Sequence, residues 1–228
     1  MKTVIVATPH KRNDHLVKQI AERLPNHRIV RITTREELNP EYLQSLAPEW
    51  IFFPHWSWLI PDEIHSRYEC VIFHMTDLPY GRGGSPLQNL IVRGHKETKL
   101  TALKCINGLD MGPVYKKVPL LLEGTAEVIL GRAADLMEDL IVEIVEKQPT
   151  PVQQTGDVVE FKRRRPEESD INTVETLEQV YDYIRMLDAE GYPSAFLQNE
   201  KFHFEFSRVT REGEWLEARV RIRSRIHG

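Results

Sequence analysis

The first hundred residues alternate short β-branched runs with helical patterns, and that rhythm limits the fold more than any other feature. "TVIVAT" (residues 3–8) reads as a strand covered on both faces, because the run is apolar without alternation. "NDHLVKQIAERL" follows, with Asn13 as its cap and Leu16, Ile20 and Leu24 on one helical face. "HRIVRIT", "EWIFFP" and "CVIFHM" read as three further strands. Between them lie two short helices, "NPEYLQSL", opened by Pro40, and "PDEIHSR". This β-α-β-α-β-α-β order predicts an α/β, Rossmann-like domain with a parallel-rich sheet wrapped by helices. No GxGxxG follows the first strand, so a dinucleotide has no support here.

Beyond that region a helix is expected from Pro86 to about Arg93, then a strand over "TKLTALKCI" and the turn "NGLDMGP", which leads into "VYKKVPLLL". "TAEVILGRAADLMEDLIVEIVEKQ" carries apolar residues at 3–4 spacing and predicts the longest helix. The segment after it, "PTPVQQTGDVVEFKRRRPEESDIN", is rich in proline and charge. It places a boundary near Gln148, dividing the chain into a main domain (1–148) and a small α+β C-terminal extension (149–228). The extension reads as a helix, "VETLEQVYDYIRML", followed by alternating runs, "KFHFEFSRV" and "EWLEARVRIRS", that form a hairpin.

At 228 residues and 41% hydrophobic content, the chain can bury a core without metals or disulfides. Its net charge of −4 argues against a nucleic-acid partner held by general electrostatics. Cys70 and Cys105 lack CxxC spacing, so they read as buried reduced thiols rather than metal ligands, and no metal is expected. No apolar run suits a signal peptide or a membrane span, which points to a cytoplasmic protein without a membrane partner.

Ligands of such sheets bind beyond the carboxyl ends of the strands. Two segments fall there and should face one crevice: "PHWSWLIP" after the third strand, and "HMTDLPYGRGGSPLQNLI" after the fourth. His74 leaves its strand with an acid, Asp110, on a loop flanked by Gly108 and Gly112. Histidine can donate to an oxygen that becomes negative, and an acid can orient the ring and support its charged form. Arg82, among Gly81, Gly83 and Gly84, has room to reach an anion or a carbonyl, and Trp56 and Trp58 could flank a flat ring system. Each feature alone has a bland counterpart: a core histidine, a solvated arginine, apolar packing over the sheet, a turn aspartate.

Together they resemble a family. "HMTDLP", "RGGSP" and "LDMG", in that order within residues 51–118, are similar to the motifs of the folate-dependent formyltransferases, with His74 and Asp110 at the separation of that family's catalytic pair. "EFKRRRPEESDIN", "YDYIRMLD" and "GYPSAFLQNEKF" resemble the region after the catalytic domain of sugar N-formyltransferases.

The resemblance implies 10-formyltetrahydrofolate as formyl donor and a nucleotide-linked amino sugar as acceptor, with a UDP-linked 4-amino-4,6-dideoxy sugar of the pseudaminic-acid-pathway type in range. It implies catalysis by His74 and Asp110, and folate contacts from Trp56, Trp58, Leu59, Ile60, Leu78, Asn107 and Gly108. Acceptor contacts would come from Arg82, Gly83 and Arg164, the last within the 162–165 "KRRR" run. Sugar N-formyltransferases are often dimers, and the hairpin tail could build a homodimer interface. Three rivals stand beside this reading: a formyltetrahydrofolate hydrolase, a non-catalytic sugar-nucleotide or folate binder, and a tRNA formyltransferase. One departure matters. The family has an asparagine two residues before the histidine, where this chain has Ile72. That asparagine holds the formyl oxygen, so Asn107, Ser85 and Gln88 become candidates for the missing donor.

Overall fold

The computed structural model describes residues 1–225, which cluster into two compact units, each built from three stretches of the chain. The first comprises Met1–Gly83, Thr98–Leu120 and Gly131–Glu160; the second comprises Gly84–Glu97, Leu121–Leu130 and Phe161–Gly228.

The first unit is organised by a six-stranded sheet. Strand β1 (Lys2–Ala7), β2 (His27–Ile32), β3 (Pro48–Phe53), β4 (Cys70–His74), β6 (Glu97–Lys104) and β7 (Val114–Leu121) are ordered β2-β1-β3-β4-β6-β7. β1 pairs in parallel with β2 and β3, and β3 in parallel with β4. β4 and β6 run antiparallel, with His74 opposite Thr101. The sheet is therefore parallel-rich, as its runs predict. Val4, Ile5, Val6 and Ala7 are fully buried, which is why this central strand shows no polar alternation.

Helices α1 (Asp14–Arg23), α2 (Pro40–Leu46) and α3 (Asp62–His65) fill the expected connections. Leu16 and Ile20 bury one face of α1, and α2 opens on Pro40 with the Asn39 side chain accepting from the Tyr42 N–H. Asn13 departs from its expected role. It holds the cap position of α1 but makes no capping hydrogen bond: its amide donates to Thr8 Oγ1 at 2.6 Å, and its side-chain oxygen is buried without a partner. A two-stranded sheet pairs β5 (Tyr80–Gly83) with β8 (Val159–Phe161), both missed by sequence patterning because each is only three or four residues long.

The longest helix, α5 (Ala126–Lys147), has its apolar residues buried at 3–4 spacing, including Ile129, Ala133, Met137, Leu140, Ile141 and Ile144. The second unit contains α4 (Pro86–Val92), α6 (Leu177–Arg185) and an antiparallel sheet of order β11-β10-β9, made of β9 (Ala195–Gln198), β10 (Phe202–Glu212) and β11 (Trp215–Ser224). The last two strands form the expected hairpin. Within that unit Arg185 is buried, paired with Asp182 at 2.6 Å and donating to the carbonyls of Leu122 and Gly124. Among the described residues no helix is long and apolar enough to cross a membrane.

Candidate active site

β3 and β4 run in parallel, so the two suspect segments leave the sheet at one edge. The strand order reverses between β1 and β3, and such a switch opens a crevice at the carboxyl ends.

His74 is the last residue of β4 and is buried. Its Nε2 lies 2.7 Å from the Gly81 carbonyl and its Nδ1 lies 3.5 Å from Asp110 Oδ2. Both ring nitrogens thus face oxygen acceptors. Asp110 is also buried and sits in the left-handed region at φ 53°, held there by its neighbours. The same carboxylate oxygen accepts the Gly83 N–H at 2.9 Å. Sequence reasoning had no means of finding the Gly81 carbonyl or the Gly83 amide as partners, since neither has a side-chain signature.

Arg82 does not stand free in its glycine turn. Its Nε and Nη2 donate to Gln154 Oε1 at 3.2 and 2.8 Å. Gln154 Nε2 in turn donates to the carbonyls of Asp110 and Gly112, both at 2.8 Å. Gln154 is the residue the sequence most conceals, because it falls in the proline-rich stretch that reads as a linker. Gly112 allows the loop to close: a Cβ there would lie 1.8 Å from the Lys104 carbonyl oxygen.

On the β3 side, Trp56 packs edge-to-face on both Phe53 and Trp58, with ring centroids 5.7 and 4.8 Å apart. The two indoles therefore do not stand as parallel plates. Trp58 and Leu59 are exposed and Ile60 is half-buried, so the loop presents apolar surface at the edge of the site. His55, at φ 52°, receives the Asn13 amide at 3.4 Å on Nδ1, while its Nε2 is buried without a partner. Burial, with the charges of Arg12 and His10, pushes His55 down to about 3, so this ring stays neutral.

Asn107 and Gly108 lie exposed on the loop that carries Asp110. Leu78 is fully buried, and its carbonyl accepts from Lys117 Nζ. Ile72 packs against the core cluster that includes Phe53, Ile64 and Cys70, and offers the site no donor.

Of the proposed replacements, Asn107 is the one in the first unit. Gln88 and Ser85 belong to the second, where Gln88 Nε2 donates to the Met186 carbonyl and Ser85 Oγ accepts from the Arg164 N–H. Arg164 is also a second-unit residue, its guanidinium 5.4 Å from the Tyr183 ring and bonded to the Glu168 carbonyl. Cys70 and Cys105 are free and buried, with burial pushing both thiols up, Cys105 to about 11, so neither serves as a nucleophile at neutral pH. Among the described residues no cluster of three or more His, Cys, Asp or Glu could hold a metal ion.

A family model described as "Formyl transferase" matches residues 2–145. The chain belongs to the formyl transferase family. A second model, "Methionyl-tRNA formyltransferase, C-terminal domain", matches residues 166–223. Methionyl-tRNA formyltransferase of Thermus thermophilus is 32% identical over 167 residues, covering 71% of this chain and 54% of that protein. This formyl transferase chain thus spans about half the length of the curated relatives it matches.

Among solved structures, "Methionyl-tRNA formyltransferase from Clostridium thermocellum" is 45% identical, with a TM-score of 0.95 covering 98% of this chain and 100% of that one. Two matches below 25% identity share the fold. HypX from Aquifex aeolicus, in complex with tetrahydrofolic acid, has TM-score 0.74 at 16% identity, covering 92% of this chain and 38% of that one. Rv3404c from Mycobacterium tuberculosis, described as a likely sugar N-formyltransferase, has TM-score 0.69 at 16% identity, covering 88% and 93%.

Proposed function

We propose that this protein moves the formyl group of 10-formyltetrahydrofolate to the amine of a nucleotide-linked amino sugar. The observation that carries the reading is the buried His74–Asp110 pair at the end of β4, its acid anchored by the Gly83 amide. The apolar, partly exposed loop of Trp56, Trp58, Leu59 and Ile60 fits a flat ring system. Asn107 and Gly108 offer polar groups on the loop that carries Asp110. The donor supplies an activated formyl carbon; the chain supplies position and charge.

A neutral amine adds to that carbon, and negative charge grows on the formyl oxygen. His74 donates a hydrogen bond to that oxygen, for which one ring N–H turns from its backbone or carboxylate partner. Asp110 offsets the charge on the imidazole, and its carboxylate can take the proton shed by the amine. Collapse of the adduct then breaks the bond from the formyl carbon to the folate nitrogen, which takes that proton as tetrahydrofolate leaves. Holding amine and formyl carbon together supplies much of the rate, since no covalent enzyme intermediate is needed. Arg82 and Gly83 border the pair and serve the acceptor.

The net charge of −4 supports a small acceptor over a polyanion. A second reading, methionyl-tRNA as acceptor, is favoured by the names of the similar proteins and of the C-terminal family model. Purified protein with 10-formyltetrahydrofolate, a panel of UDP- and dTDP-amino sugars, and methionyl-tRNA tests both. A sugar product heavier by one CO, lost in His74→Ala, is expected; turnover of methionyl-tRNA alone would replace the first reading by the second. Absence of any formylated product would sink both.

A further inference from the structure

We infer that Gln154 is a positioning residue that sets the geometry of Asp110 and Arg82 together; this rests on the formyl-transfer reading above. Every hydrogen-bonding group of its side-chain amide is engaged. Oε1 accepts twice from the Arg82 guanidinium, at 3.2 and 2.8 Å, and Nε2 donates to the carbonyls of Asp110 and Gly112 at 2.8 Å each. The orientation of the amide is fixed by chemistry: a guanidinium only donates and a carbonyl only accepts, so the oxygen must face Arg82 and the nitrogen the loop.

The resulting ring of contacts is closed by the chain itself. Arg82 is bonded to Gln154, Gln154 to both sides of the Asp110 turn, and the Asp110 carboxylate back to the amide of Gly83, next to Arg82. Asp110 occupies left-handed backbone that a non-glycine residue adopts only when its surroundings impose it, and the two carbonyl bonds hold its own carbonyl and that of Gly112, two residues on. Its carboxylate is 3.5 Å from His74 Nδ1, so a shift of the turn becomes a shift of charge at the ring. Glutamate could hold Arg82 but would set carboxylate oxygens against two carbonyls. Alanine would release both ends.

Gln154→Ala and Gln154→Glu separate the two roles. In the wild-type protein with its accepted amine, Gln154→Glu should lower kcat about 10–100-fold while leaving KM for the acceptor within threefold, because misplacing a reacting group by about 1 Å costs this much. Gln154→Ala should lower kcat similarly and also raise KM. Side-chain 15N resonances of His74 should move in both variants, a readout that needs no acceptor. A residue that only stabilises the fold would lower the melting temperature with kcat, KM and the His74 resonances unchanged well below it; that result overturns the proposal. Should Gln154→Ala fail to fold, Gln154→Asn, which keeps the amide but loses reach, is read by the same resonances. If no acceptor is formylated by the wild type, the function reading fails, while moved or unmoved His74 signals still decide the positioning role.

Discussion

Replacing Asp110 by asparagine isolates the charge of the acid from its shape. The asparagine oxygen can still accept the Gly83 N–H, and the backbone carbonyl that Gln154 holds is untouched, so the turn should keep its place. What disappears is one negative charge 3.5 Å from His74 Nδ1. At an effective dielectric of about 20, that charge and a full imidazolium attract by about 5 kcal/mol. Asparagine returns part of this support for a charged ring, because its oxygen still faces the ring as a dipole. A loss of about 3–4 kcal/mol is then expected, or on the order of 10²–10³ in kcat. Acceptor KM should change little, since Arg82 stays clasped by Gln154. Initial rates of formylated product, measured by mass spectrometry over a range of acceptor concentrations, give both numbers. If Asp110→Asn kept kcat within threefold of wild type, the charge would have no part in catalysis and the pair would be structural.

Three further outcomes follow from the same geometry. Ile72→Asn restores the family's donor: if His74 alone now holds the formyl oxygen, kcat should rise by up to about 10²-fold. Melting stability should fall by about 1–3 kcal/mol, because an amide replaces an apolar side chain packed on the core; an unchanged rate in a folded variant would mean another group already fills that place. Gly112→Ala forces a Cβ to within 1.8 Å of the Lys104 carbonyl. It should cost about 2–4 kcal/mol of stability in chemical denaturation, and a cost under 1 kcal/mol would contradict the tight closure.

Asp77 shows a linked pH effect. Burial pushes its carboxyl up, but hydrogen bonds from Lys117 and Lys99, with their charges, outweigh this and hold it below the usual carboxylate range. Its contribution is therefore complete above the unfolded value of about 3.9 and fades as pH falls through the lower folded value. The melting-temperature gap between wild type and Asp77→Asn should be constant from pH 7 to 5 and close below about pH 4; a gap independent of pH would refute the linkage.

The sheet was legible because burial leaves a direct trace in composition: "VIVA" and "IFF" lie in strands covered on both faces, and their uniform apolarity says so. His74 and Asp110 were legible for a different reason, their place in spaced motifs, and the structure brings them to 3.5 Å. Arg82 read as a free cation because the turn around it is small and open. Its partner lies 72 residues on, inside a stretch that looks like a linker.

Gln154 was hidden by the nature of its bonds. Two of its three partners are backbone carbonyls, which exist at every residue and mark no position in a sequence, and its one side-chain partner is a common arginine–amide contact. A polar residue that acts on backbone has no pattern to be read by, so the group that fixes the acid could be found only once the Asp110 turn and the 148–160 segment were seen side by side. The same logic bears on the donor missing at Ile72. If a backbone N–H supplies it, no motif will reveal the replacement, and Ile72→Asn will add a second donor rather than restore the first.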